Sequence, residues 1–396
     1  MEVILALYVL SGIIKGYLQF FNVFTPIDIT LLFAVMSFCA YLIECKGKNI
    51  YERVRYFQRP VILFLFFWIW MLFTLLYTTS TSYGYTKCLN FGTNLIPIYL
   101  ILSKKNFNVK RFLQTFSLLL IPLTIIYLPF ASMTYDSWDA DLTEFSRMYL
   151  ALGGGLGFVV LSIILSKKVV FSKNIDFFLS LSSFGLLVII GARGPLLFTL
   201  LILGVHYLFR VKKRIIKFNP KRLFYFGLFF IPFFSYLIIK FNHILINIIS
   251  FSYTRMLLLI EGVFSTGVKL GASANIRVEH YHDSLELIFL NVSNFIFGTG
   301  IGSYEIEVSG FDGRNHPHNQ ILEIWTELGL IGLVIYLVYF IFLIKNNSKF
   351  YVYISNLIII YSVLNLLKSS SLVDIRIPLT FICLCVCQSN KLICNE

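Results

Sequence analysis

HPHNQILEIWTELGLIGLVIYLVYFIFLI, residues 316–344, sets two histidines and an asparagine directly against a long apolar run. A helix of about 20 residues crosses the hydrocarbon core of a bilayer, with roughly 17 to 25 tolerated, so 320–344 predicts a membrane span. Pro317 holds His316 extended and is tolerated in a first helical turn, which predicts a helix start around His318. His318, Ile321, Leu322 and Trp325 then share one face, with an imidazole at the mouth of the bundle where the membrane ends.

The rest of the chain follows this pattern. Its 396 residues are 58% hydrophobic and 17% aromatic, with 13% charged side chains and a mean hydropathy of +0.80, which excludes a soluble globular domain. The same length rule gives about twelve spans, near 3–22, 27–44, 61–78, 89–102, 112–131, 148–166, 176–192, 194–209, 223–249, 320–344, 350–367 and 377–390. The fold class expected is an all-α polytopic membrane protein, one integral membrane domain over 1–396. The first apolar run carries neither a basic leader nor a small-residue cleavage site, so it is expected to stay as a span.

A net charge of +13 raises nucleic acid as a partner, but the basic residues sit between apolar runs rather than on a soluble module. Membrane lipids, with their anionic headgroups, are the phosphates they meet. The clusters Lys46, Lys48, Arg53, Arg55, Arg59; Lys104, Lys105, Lys110, Arg111; Lys167, Lys168, Lys173; and Arg210 through Arg222 fall on alternate connections, which predicts a cytoplasmic side. Both termini then lie in the cytoplasm. The acidic loop of Asp136, Asp139, Asp141 and Glu144 lies outside, with the long 250–319 connection between spans nine and ten. Within that connection 281–297 carries apolar residues at helical spacing, as a helix lying on the membrane surface does, and Gly298–Glu305 reads as a tight turn. The seven cysteines show no disulfide or metal spacing and read as packing residues.

Three residues carry candidate chemistry. Histidine suits proton transfer near neutral pH, and His318 is either that base or an interfacial histidine bonded to a carbonyl. Arg193, in Gly-Ala-Arg-Gly-Pro between two apolar runs, has almost no loop to carry it into water. It reads as a phosphate ligand or as a turn arginine snorkelling to headgroups. Arg277 stands among Glu279, His280, His282 and Asp283 as an anion ligand or as part of a solvated charged face. His280 and His282, two apart, diverge on a helix, so no metal site is expected there. The GTGIG at 298–302 lacks the βαβ setting of a dinucleotide fingerprint.

These residues resemble the O-antigen ligase and O-antigen polymerase superfamily of bacterial envelope-glycan assembly. That family's motif is a His, then Asn, Ser or Gln, nine further positions, Gly, two residues, then Gly, Thr or Tyr. Here His318-Asn319 is followed by 320–328, Gly329, Leu330, Ile331 and Gly332. The GIGS turn before the histidine, an arginine opening the outer loop and an Arg-Gly pair between spans are also similar. The resemblance implies a membrane glycosyltransferase fold of the C type in the bacterial inner membrane, its active site facing the periplasm. It implies a metal-independent, cofactor-free transferase acting on undecaprenyl-diphosphate-linked glycan donors, with a glycan or lipid A-core acceptor and a chain-length regulator protein as partner. His318 would be the catalytic base and Arg193 and Arg277 the diphosphate ligands. His316 departs from the pattern and leaves open which imidazole is the base. Polymerisation is favoured over ligation. A transporter of lipid-linked oligosaccharide is the competing class, though its usual internal repeats are not visible here.

Overall fold

The computed structural model describes residues 1–45 (save 24 and 26), 50–103, 107–131, 140–166, 169–210, 272–345, 352–369 and 371–393. Much of the basic clusters, Asp136 and Asp139 of the acidic loop, the span at 223–249 and the first part of the outer connection lie outside the described residues.

All regular structure among the described residues is helical. The helices are α1 (Glu2–Phe20), α2 (Ile29–Cys45), α3 (Ile50–Thr74), α4 (Tyr83–Thr93), α5 (Leu95–Ser103), α6 (Val109–Ala131), α7 (Ala140–Leu165), α8 (Lys173–Ile189) and α9 (Arg193–Arg210). After them come α10 (Ala272–Phe289), α11 (Val292–Phe297), α12 (Tyr304–Ser309), α13 (Gln320–Lys345), α14 (Val352–Ser369), a 3-10 turn at Leu372–Asp374, and α15 (Arg376–Ile393).

Among the described residues, four helices are long and apolar enough to cross a membrane: Glu2–Phe20, Val109–Phe130, Met148–Leu165 and Gln320–Lys345. Five shorter apolar helices lie within α2, α3, α9, α14 and α15. This is the make-up of a multi-pass membrane protein. The expected span at 89–102 is divided, because α4 ends at Thr93 with Asn94 as its cap and α5 begins at Leu95.

The chain forms two compact units. One joins 1–118 to 267–396 and the other is 119–266. In the first, α3 packs along α13, α14 along α15, and α5 against α15 and α3. Apolar and aromatic side chains form this core; Phe64 stacks on Phe91 at 4.8 Å and Tyr339 meets Phe64 edge-on at 5.7 Å. Helices α10, α11 and α12 pack on α13. In the second unit α7 packs on α8 and α9. Cys383 and Cys385 are buried on α15.

Candidate functional site

The helix that carries the His-Asn motif starts at Gln320, two residues later than the sequence suggested. Asn319 is its cap. Its Oδ1 accepts hydrogen bonds from the backbone amides of Ile321 (3.0 Å) and Leu322 (3.3 Å), and its carbonyl accepts from Glu323 N. A short polar side chain that satisfies first-turn amides outcompetes a histidine for this position. His318 therefore stands outside the helix on left-handed backbone, φ 55°, a conformation in which histidine is one of the tolerated side chains. The expectation that it shares a helix face with Ile321, Leu322 and Trp325 does not hold.

Two further imidazoles surround it. The His316 ring lies edge-on at 4.5 Å between centres, and the His280 ring is tilted at 5.7 Å. His316 is buried; its Nδ1 lies 3.3 Å from the Arg314 carbonyl, while its Nε2 has no hydrogen-bond partner among the described residues. An orphaned buried nitrogen is uncommon and invites a water or a ligand.

His280 comes from α10, whose inward face repeats at helical spacing through Arg277, His280, Ser284 and Ile288; Ser284 and Ile288 are buried. Arg277 is half-buried on this face, one turn before His280, with no hydrogen bond or ion pair to any described residue. His282, Asp283 and Glu286 gather on the outer side, their ligand atoms within 4.8 Å of one another, an exposed surface group. The divergence expected of His280 and His282 is what is seen, but His280 belongs to the histidine cluster rather than to a solvated face.

Beneath the histidines α13 is broken. Gly329 adopts φ 68°, ψ −174° inside the helix, and the carbonyls freed by the break find other donors, as they must where no water is at hand. Thr299 N donates to Thr326 O (2.9 Å), Gly300 N to Glu327 O (2.9 Å) and Trp70 Nε1 to Leu328 O (3.0 Å). A Cβ on Gly329 would collide with the Ile296 carbonyl, and one on Gly332 with Leu328. Both glycines of the motif thus serve one joint, where the 298–302 turn docks on the opened helix.

The joint also holds a buried ion cluster. Lys87 Nζ on α4 lies 2.6 Å from Glu323 Oε1 and 2.7 Å from Glu327 Oε1, all three side chains essentially without solvent contact. Glu323 additionally accepts from Ser371 Oγ (2.8 Å) and Leu372 N (2.9 Å), and Glu327 from Gly302 N (2.9 Å). Four separate segments are tied under the histidines by one cation and two carboxylates. The sequence reading passed over these residues, though two glutamates one turn apart in a membrane span demand a cation.

A polar strand of chain, Thr74–Tyr83, closes the outer side. Tyr77 OH donates to Phe297 O (2.7 Å) and Thr78 Oγ1 to Ile301 O (2.9 Å). Asp312 accepts from Ser80 Oγ (2.7 Å) and from the amides of Thr81 (3.0 Å) and Ser82 (2.8 Å). Burial works against the Asp312 carboxylate, but these bonds outweigh it and hold its pKa below the usual range.

Asp374 lies in the 3-10 turn Leu372–Asp374 and is exposed. Arg376 donates to Ser11 Oγ at 2.8 Å and lies over the Tyr8 ring.

Arg193 belongs to the other unit. It opens α9 after a turn in which Gly191 takes φ 67°, and Gly153 of α7 approaches Ala192 so closely that a Cβ there would overlap it. The near absence of a loop between α8 and α9 is as the sequence indicated, and the arginine is half-buried at a helix start.

Residues 178–337 match the family model described as O-antigen ligase. The match contains Arg193, Arg277, the histidine cluster and the break at Gly329, and it supports the O-antigen ligase and polymerase superfamily. None of the curated proteins matches the chain.

Proposed function

We propose that the protein is a membrane glycosyltransferase that polymerises undecaprenyl-diphosphate-linked O-antigen, or a related surface polysaccharide, at the periplasmic face of the bacterial inner membrane. The observation that carries this reading is His318, held off the start of α13 on left-handed backbone with two more imidazoles around it. Arg277 sits one turn from one of them. In the reaction proposed, His318 takes the proton of an acceptor sugar hydroxyl while the oxygen attacks the anomeric carbon of the donor. The lipid diphosphate leaves with the bonding electron pair, and Arg193 and Arg277 neutralise it; a guanidinium fork matches phosphate oxygens. A positioned base and charge stabilisation of the leaving group need no metal. A single displacement inverts the anomeric centre.

Ligation of the glycan to lipid A-core is the second reading, favoured by the description of the matching family model. The lipopolysaccharide ladder of a deletion strain separates the two. A single-repeat band identifies a polymerase, and loss of all banding beyond the core a ligase. Complementation with His318→Ala at equal membrane level should leave the deletion pattern, since a general base is worth about 10²- to 10⁴-fold in rate. Wild-type banding from that variant would overturn the mechanism.

A further inference from the structure

The contacts of His280 go beyond packing. Tyr304 OH lies 2.9 Å from His280 Nδ1 and 3.3 Å from the His280 carbonyl oxygen, which also accepts from Ser284 Oγ at 2.6 Å. A carbonyl only accepts, so the contact at 3.3 Å is a hydrogen bond only if the tyrosine hydroxyl donates to it. The hydroxyl proton is then used, and Nδ1 must supply its own proton to the tyrosine oxygen. Asp283 Oδ2, 4.0 Å from Nδ1, favours the same tautomer. Burial keeps Tyr304 protonated and lowers the pKa of His280, against the pull of Asp283, so the ring stays neutral. Its Nε2 is left as a lone-pair acceptor on the side of the ring away from Tyr304. An acceptor there is complementary to an N–H donor, and the His318 ring stands 5.7 Å away between centres, a separation from which a small approach of the two rings brings an N–H···N bond within reach.

We infer that His280 is a positioning residue for His318: it accepts the His318 ring proton, fixes the tautomer, and thereby aims the other His318 nitrogen at the acceptor hydroxyl. This is the role that an orienting group plays behind a catalytic imidazole, filled here by a neutral histidine locked by Tyr304. The inference rests on the reading of His318 as the base. When His318 takes the acceptor proton, it becomes an imidazolium whose second N–H remains bonded to His280; no electrons are transferred beyond the displacement itself.

The test uses the full-length purified chain in lipid nanodiscs. The probe is lipid-linked repeat units extracted from cells in which this gene is deleted, with lipid A-core from the same cells added, and initial rates are measured. His280→Leu is expected to lower turnover about 10- to 100-fold, the scale on which a misplaced catalytic group costs rate, with the donor KM unchanged. His280→Gln, whose carboxamide oxygen takes the place of Nε2, should keep most of the rate. Tyr304→Phe, which frees the tautomer, should resemble His280→Leu. If His280→Leu turns over like wild type while His318→Ala is inactive, the positioning role is wrong and the base assignment stands. A His280→Gln variant as impaired as His280→Leu also overturns it. Should His318→Ala itself retain full turnover, the proposed function falls, and this inference with it.

Discussion

Lys87 is the residue whose removal should be felt most widely, because its ammonium pairs with two buried carboxylates that reach four segments of chain. Breaking a buried ion cluster by deleting one partner typically costs about 3 to 5 kcal/mol, whereas replacing the whole set by neutral groups is often nearly neutral. Lys87→Met alone is therefore expected to lower the thermal midpoint of the detergent-solubilised protein sharply. Lys87→Met combined with Glu323→Gln and Glu327→Gln should recover much of it; equal midpoints for the single and triple variants would mean that the charges are not coupled. Arg193 poses a different question at this scale, charge against geometry. Arg193→Lys keeps the charge and loses the planar fork, so donor KM should rise while the amount of protein in the membrane is unchanged. An unchanged KM would rule out the proposed role of Arg193 as a diphosphate ligand.

Among the elements, α13 is decisive, since its break at Gly329 is the floor on which the histidine segment rests. Alanine at 329 must adopt φ 68°, a strain of about 1 to 3 kcal/mol by itself, and must push its Cβ into the Ile296 carbonyl and the Gly298 amide. Gly329→Ala is expected to reduce folded yield and transfer activity together; a stable, active variant would show that the joint tolerates an unbroken helix. The Thr74–Tyr83 segment is held from outside by Asp312, and here the sign of the pH dependence is fixed. The folded pKa of Asp312 is lowered, so its contribution is present above the unfolded value of about 3.9 and is lost as pH falls through the lower folded value. Asp312→Asn should cost about 1 to 3 kcal/mol near neutrality, the worth of bonds to a charged group. The gap in thermal midpoint between wild type and variant should narrow below about pH 4. A gap constant over that range would refute the anchoring role.

At the level of the whole molecule, the alternation of basic clusters makes a claim about sidedness that reporter fusions can settle: a fusion after Arg222 should read cytoplasmic and one near Asp312 external. The same side for both would mean a span count wrong by an odd number. Sequence alone set the all-helical membrane class, the approximate limits of several apolar helices among the described residues, a turn beginning at Gly298 that the structure ends before α12 starts at Tyr304, and the imidazole just before α13. These are local properties, since hydropathy is read against a fixed bilayer thickness and glycine, proline and asparagine act on their own backbone. It placed the start of α13 two residues early because propensity does not say which of His318 and Asn319 caps. Only the tertiary structure decided that Lys87 meets Glu327, 240 residues away, that His280 turns inward to His318, and that Gly329 of the motif serves a break in a helix. Those meetings depend on how each helix is rotated about its axis and which neighbour it packs against, and no window of sequence contains both partners.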